Sequence, residues 1–280
     1  NGRYCYLDPF AGTAAAVAEA CRNLACTGAE PLAITDCLNF GDPETPDIQF
    51  QLRQAILGMK KACEALDVPV ISGNASLYNE ARGQAVYPTT TIGALGLLDD
   101  VNAHSTSGFK RPGDLIILLG QCVIDADPRD LGGSEFLSLI HDRAEGRPRI
   151  DLDLELRVQD VCRRAVREGL LSSAHDCSDG GLAVAIAESA IQGSTGAHVT
   201  AGITGRWDAA LFGERQSRIV VSLRPENLRA LVQLAEKAGV PWAELGRTGG
   251  DRIRISPLID VPLHAAADAW ENGFARAASS

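Results

Sequence analysis

Between two runs of strand-forming residues, Thr89 to Leu98 and Asp114 to Leu119, lies a polar segment, Asp99 to Gly113, that holds Gly108, Pro112 and Gly113. Glycine and proline this close together oppose both helix and sheet. The segment therefore reads as a domain boundary, and two units are expected, residues 1–108 and 109–280, within a chain of 280 residues. On the first side, Gly12 to Gly28 has the spacing of a close-packing helix with Gly28 as its C-cap, and Asp47 to Leu66 carries a second apolar stripe. Pro31 to Leu38 and Val68 to Ile71 read as strands, the latter ending in a turn at Ser72-Gly73-Asn74, and Thr89 to Leu98 reads as a buried strand. On the second side, the strand at Asp114 to Leu119 precedes helices near 155–169, 179–192, 225–239 and 262–277, with strands near 218–223 and 252–256. Strands that alternate with helices indicate an α/β or α+β layer.

Composition removes several classes. Hydrophobic residues at 45% and charged residues at 22% exclude a disordered or fibrous chain. No apolar run approaches the roughly 20 residues of a membrane span, so no membrane partner is expected. Basic residues number 26 and acidic residues 36, a balance of −10 that lacks the cationic footprint for nucleic acid. A small phosphorylated ligand stays open, because backbone N–H groups and a divalent ion hold phosphate without net positive charge. The eight cysteines (5, 21, 26, 37, 63, 122, 162 and 177) form no Cys-x-x-Cys pair and read as buried, reduced thiols. Asn1-Gly2-Arg3-Tyr4 has no apolar signal-peptide core. Together these imply a cytoplasmic setting.

Three polar segments are candidates for chemistry. Asp36, after the apolar strand and before Gly41, stands where a carboxylate can hold a metal or nucleotide, or simply cap a turn. Ser72 to Glu80 groups Gly73, which permits close backbone approach, Asn74, which offers a carbonyl oxygen to a metal, and Ser76, which offers a hydroxyl to a phosphate. An ordinary polar turn is the competing reading. His175 to Leu182 opens a helix that Ser178 or Asp179 could cap, with Gly180-Gly181 leaving N–H groups for an anion. Asp179 would repel phosphate there unless a cation bridges them. His175 beside Asp176 does not make a triad, since no Gly-x-Ser-x-Gly occurs. Leu211 to Arg218 reads as a polar turn before a strand, whose paired arginines could reach a phosphate or form surface salt bridges, the second being the plainer reading, and Lys60-Lys61 and Arg163-Arg164 read as solvated helix faces.

Asp36-Cys37-Leu38-Asn39-Phe40-Gly41, Gly73-Asn74-Ala75-Ser76-Leu77-Tyr78-Asn79-Glu80, Leu131-Gly132-Gly133-Ser134-Glu135 and His175 to Leu182 lie in one order along nearly the whole chain. In these strings the sequence resembles the second half of the phosphoribosylformylglycinamidine synthases, within the superfamily of aminoimidazole ribonucleotide synthetase. The resemblance implies an α/β (α+β) fold, with a ferredoxin-like N-terminal domain that pairs with a like domain into a barrel, then a larger α/β C-terminal domain. It implies ATP-dependent conversion of formylglycinamide ribonucleotide and ammonia to the amidine in purine biosynthesis, with ATP and Mg²⁺ as cofactors. Asp36 and Gly73 would contact ATP, Asn74 would hold Mg²⁺, and Ser76 would touch the ribonucleotide. The family's catalytic His and nucleotide-contacting Lys belong to the first half, and no residue here matches them. The implied partners are that first half or a second copy of this chain, and a glutaminase that supplies ammonia. Ala75 stands where Val is usual, and Arg215 where the family favours a small residue, which argues against a phosphate role for that turn. Asp179 to Gly181 could hold an auxiliary nucleotide. A structural nucleotide-binding half and a self-sufficient homodimer are the alternatives to a half-site inactive alone.

Overall fold

Asp8 accepts a hydrogen bond from Ala11 N at 3.0 Å and Pro9 occupies the first helical turn, so the small-residue helix starts three residues before the expected Gly12. The computed structural model describes residues 1–121 and 125–279, which leaves Cys122 outside the described residues. The first layer runs α1 (Gly2–Leu7), α2 (Pro9–Thr27), β1 (Glu30–Asn39), α3 (Pro46–Leu66), β2 (Val70–Ser76), β3 (Glu80–Ala81), β4 (Gln84–Ala85) and β5 (Thr89–Leu97). Gly28 ends α2 at φ 92°, the left-handed cap expected of it. A Cβ on Gly58 would sit 2.1 Å from Phe10 O, so the absence of a side chain there is what lets α3 lie directly on α2.

The main sheet of this layer has the order β2-β1-β5, parallel between β1 and β2 and antiparallel between β1 and β5. Ile34 and Leu38 on one face pack with Val17, Cys21, Ala55 and Met59 of the two helices. The other face is open. Thr91, Gly93, Leu95 and Leu97 of β5 are exposed along it, so the strand expected to be buried is buried on one side only. The alternating solvent exposure is that of a one-sided sheet.

The second layer runs β6 (Leu115–Gly120), β7 (Asp125–Ala126), α4 (Glu135–His141), α5 (Leu152–Arg167), β8 (Ser173–Asp176), α6 (Gly181–Gly193), β9 (Ala197–Val199), β10 (Thr204–Gly205), α7 (Trp207–Phe212), β11 (Arg218–Leu223), α8 (Leu228–Lys237), β12 (Trp242–Thr248), β13 (Arg252–Ile255), β14 (Ile259–Pro262) and α9 (Leu263–Ser279). Seven of its strands form one sheet, β14-β13-β9-β12-β6-β11-β8. Each expected helix and strand of this half is present. The short strands β8 and β9, and β12, carry no periodic signal that marked them in the sequence. β6 is buried throughout because it is covered twice. Leu115, Ile117 and Leu119 meet α5 and α8, while Ile116 and Leu118 meet α6 and α7. The class is α/β in both layers.

The layers join through charge as well as apolar contact. Arg22 of α2 is fully buried, with Nη1 2.8 Å from Glu155 Oε1 of α5, Nη2 3.2 Å from Gln216 Oε1, and Nε 3.6 Å from Asp176 Oδ2 of β8. Ser217 Oγ donates to Glu155 Oε2 at 2.6 Å, and Gln159 reaches across to Ala18 O at 3.0 Å. The stretch Glu214 to Arg218, expected at the surface, is thus largely inside this junction, with Glu214, Gln216, Ser217 and Arg218 all buried. Burial follows from its place leading into β11, which lies between β6 and β8. Arg163, read as a solvated position, also joins the layers by pairing with Glu30 of β1 at 2.9 Å. The seven described cysteines are free, five of them buried.

Candidate functional site

Asp36 faces Gly73 in the parallel register of β1 and β2, Cys37 faces Asn74, and Asn39 faces Ser76. The four expected site residues therefore converge on one end of two neighbouring strands. Ser72-Gly73-Asn74 is not a turn as expected. It lies inside β2, because the backbone there pairs with β1 instead of reversing. Nor does Asp36 close its strand, which continues to Asn39.

Residues in register share a face, and successive residues alternate. Asp36 and Gly73 lie on the face of Ile34 and Leu38, toward the helices, and the Asp36 charge raises the pKa of the Cys63 thiol on α3, behind burial as the larger cause. Asn74 and Ser76 lie on the open face with Cys37 and Asn39. Gly73 is needed at this crossing. A Cβ there would stand 2.1 Å from Asp36 Oδ1 and 2.8 Å from its carbonyl oxygen, so any side chain displaces the carboxylate. Past β2 the chain is fastened to the end of β1: Asn79 Nδ2 donates to Ser76 O at 2.8 Å and Phe40 O at 3.2 Å, and Tyr78 N donates to Gly41 O at 3.0 Å. Tyr78 adopts φ 59°, which makes this the true reversal. Asn79 was legible only as part of a motif string. Its role as the staple needed the fold.

As a metal centre the arrangement is partial. Asn74 is exposed and offers one amide oxygen, a hard donor suited to Mg²⁺, which takes few protein ligands and keeps phosphate and water oxygens around it. Among the described residues no group of three or more His, Cys, Asp or Glu could hold a metal ion. The Asn74 oxygen fits Mg²⁺ as one donor of a set that the described residues do not complete.

The third expected segment differs from its reading. Gly180, at φ 78°, caps α6, and neither Ser178 nor Asp179 supplies a side-chain cap. No side chain caps α6; the buried carboxylate of Glu214 lies beside its first residue, where Oε1 accepts from Gly180 N at 2.8 Å and from Glu135 N at 2.7 Å, and Oε2 from Tyr4 Oη at 2.5 Å. The anion at this helix mouth is the protein's own. Burial is the main cause that pushes Glu214 up to about 7, against three hydrogen bonds that hold it down. His175 sits between Glu188 at 3.0 Å and Asp176 at 3.5 Å. Burial opposes its charge, yet the two carboxylates raise it to about 9. A histidine held by two acids is an imidazolium, not a base for a serine, which agrees with the rejection of a triad.

The domains and the fold are matched in known proteins. Residues 1–98 match the family model "AIR synthase related protein, N-terminal domain", and residues 111–256 match "AIR synthase related protein, C-terminal domain". The chain belongs to the AIR synthase related proteins. It is 50% identical, over 98% of its length, to phosphoribosylformylglycinamidine synthase subunit PurL of Anaeromyxobacter sp. (strain Fw109-5), of which it covers 36%. It thus spans little more than a third of the curated relatives it matches. The solved T. maritima PurL complexed with FGAR superposes with a TM-score of 0.74 at 20% identity, over 95% of this chain and 44% of that one. T. maritima PurL complexed with ATP gives 0.68 at 20% identity, over 92% and 41%. At that identity the likeness is one of fold.

Proposed function

We propose that this chain supplies one half of a composite site for ATP-dependent amidine formation, converting formylglycinamide ribonucleotide and ammonia to formylglycinamidine ribonucleotide, ADP and phosphate. In this chemistry the amide oxygen takes the γ-phosphoryl group, ammonia adds at the same carbon, and phosphate leaves. Asp36 and Gly73 face ATP, Asn74 donates to Mg²⁺ and Ser76 meets the ribonucleotide. Residues 1–108 and 109–280 form the two domains, and the setting is cytoplasmic. Ammonia comes from a glutaminase partner. The observation that supports the reading is the parallel register of β1 and β2, which sets Asp36 beside Gly73 and places Asn74 and Ser76 just along the same strand pair.

The open sheet face supports a partner that completes the site. Leu95 and Leu97 are 60% and 52% exposed there, with Leu32 of β1 at 46%. Three leucines on one sheet face are the signature of a surface that a second sheet covers. That second sheet comes from the first half of the same synthetase or from a second copy of this chain. The test is ATP hydrolysis that depends on formylglycinamide ribonucleotide, with Mg²⁺ and ammonium present. The expected result is no turnover by this chain alone, turnover when the first half is added in trans, and loss of that turnover with Asn74→Ala. Turnover by the chain alone would replace the half-site with a homodimer.

A further inference from the structure

Four arginines, Arg129, Arg147, Arg149 and Arg215, line a single cavity of about 190 Å³ in a chain whose net charge is −10. None of Asp36, Gly73, Asn74 or Ser76 lines it. Its floor is Tyr4 and Ala15 from the first layer and Gln216 from the second, so it lies in the cleft between them. Arg129, Arg147 and Arg149 also line a wider groove of about 770 Å³, whose far wall is apolar: Phe10, Ala11, Leu137 and Ile150. The two spaces share Gly132 and Pro148 as well, so they adjoin along the three arginines, and the wider one also holds the carboxylates of Asp8 and Glu145.

The guanidinium groups are held in place from behind. Asp127 accepts from Arg129 Nε at 2.9 and 2.8 Å and from Arg149 Nη2 at 3.0 Å. Asp130 accepts from the same Arg149 nitrogen at 3.1 Å and lies 3.6 Å from Arg215 Nη1. Arg147 meets Asp8 at 3.5 Å. A guanidinium carries five N–H donors in a rigid fork. Arg149 and Arg215 each use one nitrogen on these carboxylates, which leaves the rest of each fork for another acceptor. The acids that line the small cavity itself are Asp130 and Glu214, two against four arginines. Arg149 and Arg215 are the less exposed pair and are anchored by Asp127 and Asp130, while Arg129 and Arg147 reach into solvent, and a planar fork recognises phosphate oxygens in pairs.

We infer that this cleft is a second ligand site, for a phosphorylated small molecule whose phosphate rests on Arg129, Arg147, Arg149 and Arg215 and whose body lies along Phe10, Leu137 and Ile150. Arg215, which departs from the family pattern, is part of that site through its position beside Asp130. The inference is independent of the strand-end site, and needs no metal.

The test is calorimetric titration of the whole chain with inorganic pyrophosphate and, separately, ribose 5-phosphate, in chelator to exclude divalent ions. Saturable binding is expected for both. Arg147→Ala, which removes a side chain that is 82% exposed and so spares the fold, weakens binding several-fold. The double variant Arg149→Ala/Arg215→Ala weakens it about tenfold or more, the size of a lost charged hydrogen bond. Asn74→Ala leaves it unchanged. Absence of saturable binding at millimolar ligand, binding that Arg147→Ala and the double variant both leave intact, or binding that Asn74→Ala abolishes would each overturn the inference. A cluster that is only structural gives the first of these results.

Discussion

Glu214 and His175 show how one residue type takes its meaning from its surroundings. Glu214 is raised from its ordinary 4.5 to about 7, because burial costs its charge more than Tyr4, Gly180 and Glu135 return to it. Its contribution to stability is therefore present below pH 4.5 and is lost as the pH rises to 7. His175, raised from 6.5 to about 9, contributes below pH 6.5, and that contribution disappears as the pH rises through 9. Both act in the same direction, and each tenfold gain in proton affinity on folding is worth about 1.4 kcal/mol. We expect the thermal midpoint to fall steadily from pH 5 to pH 9 when it is followed by circular dichroism. Glu214→Gln should flatten the part below pH 7, and His175→Gln the part above it. A midpoint equally steep in both variants would refute these assignments. The sequence excludes a triad for His175 without showing what charge it carries, and it places Glu214 at the surface. The structure supplies the first and overturns the second. A titrating group is defined by what is buried against it: beside the adjacent Asp176, His175 meets Glu188 from 13 residues away, and Glu214 meets Gly180, Glu135 and Tyr4 from 34, 79 and 210 residues away.

At the scale of elements, the pairing of β1 with β2 decides the site. Gly73 lies under the Asp36 carboxylate, and its substitution acts on a neighbour through space. Gly73→Ala should leave the circular dichroism of the chain near that of the parent, because β2 is an exposed edge strand. It should lower the turnover of the reconstituted synthetase by about 10²-fold, the usual penalty for displacing a positioning group by an ångström or so. Unchanged turnover would separate Asp36 from the site. Here sequence and structure meet unevenly. The residue types were legible from Asp36, Gly73, Asn74 and Ser76, since a carboxylate, a glycine, an amide and a hydroxyl in two short segments state their chemistry plainly. Their placement on two faces of one sheet was not, because Ser72-Gly73-Asn74 has the composition of a turn and becomes strand only through pairing with β1. Local propensity lost to a parallel partner over thirty residues away in sequence.

The whole molecule leaves one sheet covered on both faces and one covered on a single face. Leu32, Leu95 and Leu97 are about half exposed, so burying what remains of each contributes about 1 kcal/mol, which favours a second sheet against them. Leu95→Asp should abolish association with that partner in sedimentation velocity while the monomer keeps its thermal midpoint, and an association that persists would place the partner elsewhere. Within the molecule, Arg22→Ala should lower stability by about 3–5 kcal/mol, since Glu155 is left buried without its cation and Asp176 keeps only His175. Denaturant unfolding measures this, and a loss under about 1 kcal/mol would show the junction to be mainly apolar. The sequence by itself determined the class of fold, most helices, the strand that becomes β6 and the chemical types at the strand end. Each of these depends on local periodicity, capping or motif. Only the tertiary structure decided that Glu214 fills the helix mouth, that Arg22 binds the two layers, and that four arginines meet in one cleft. These depend on contacts between residues far apart in the chain, and no local pattern encodes which distant side chain will arrive beside a given one.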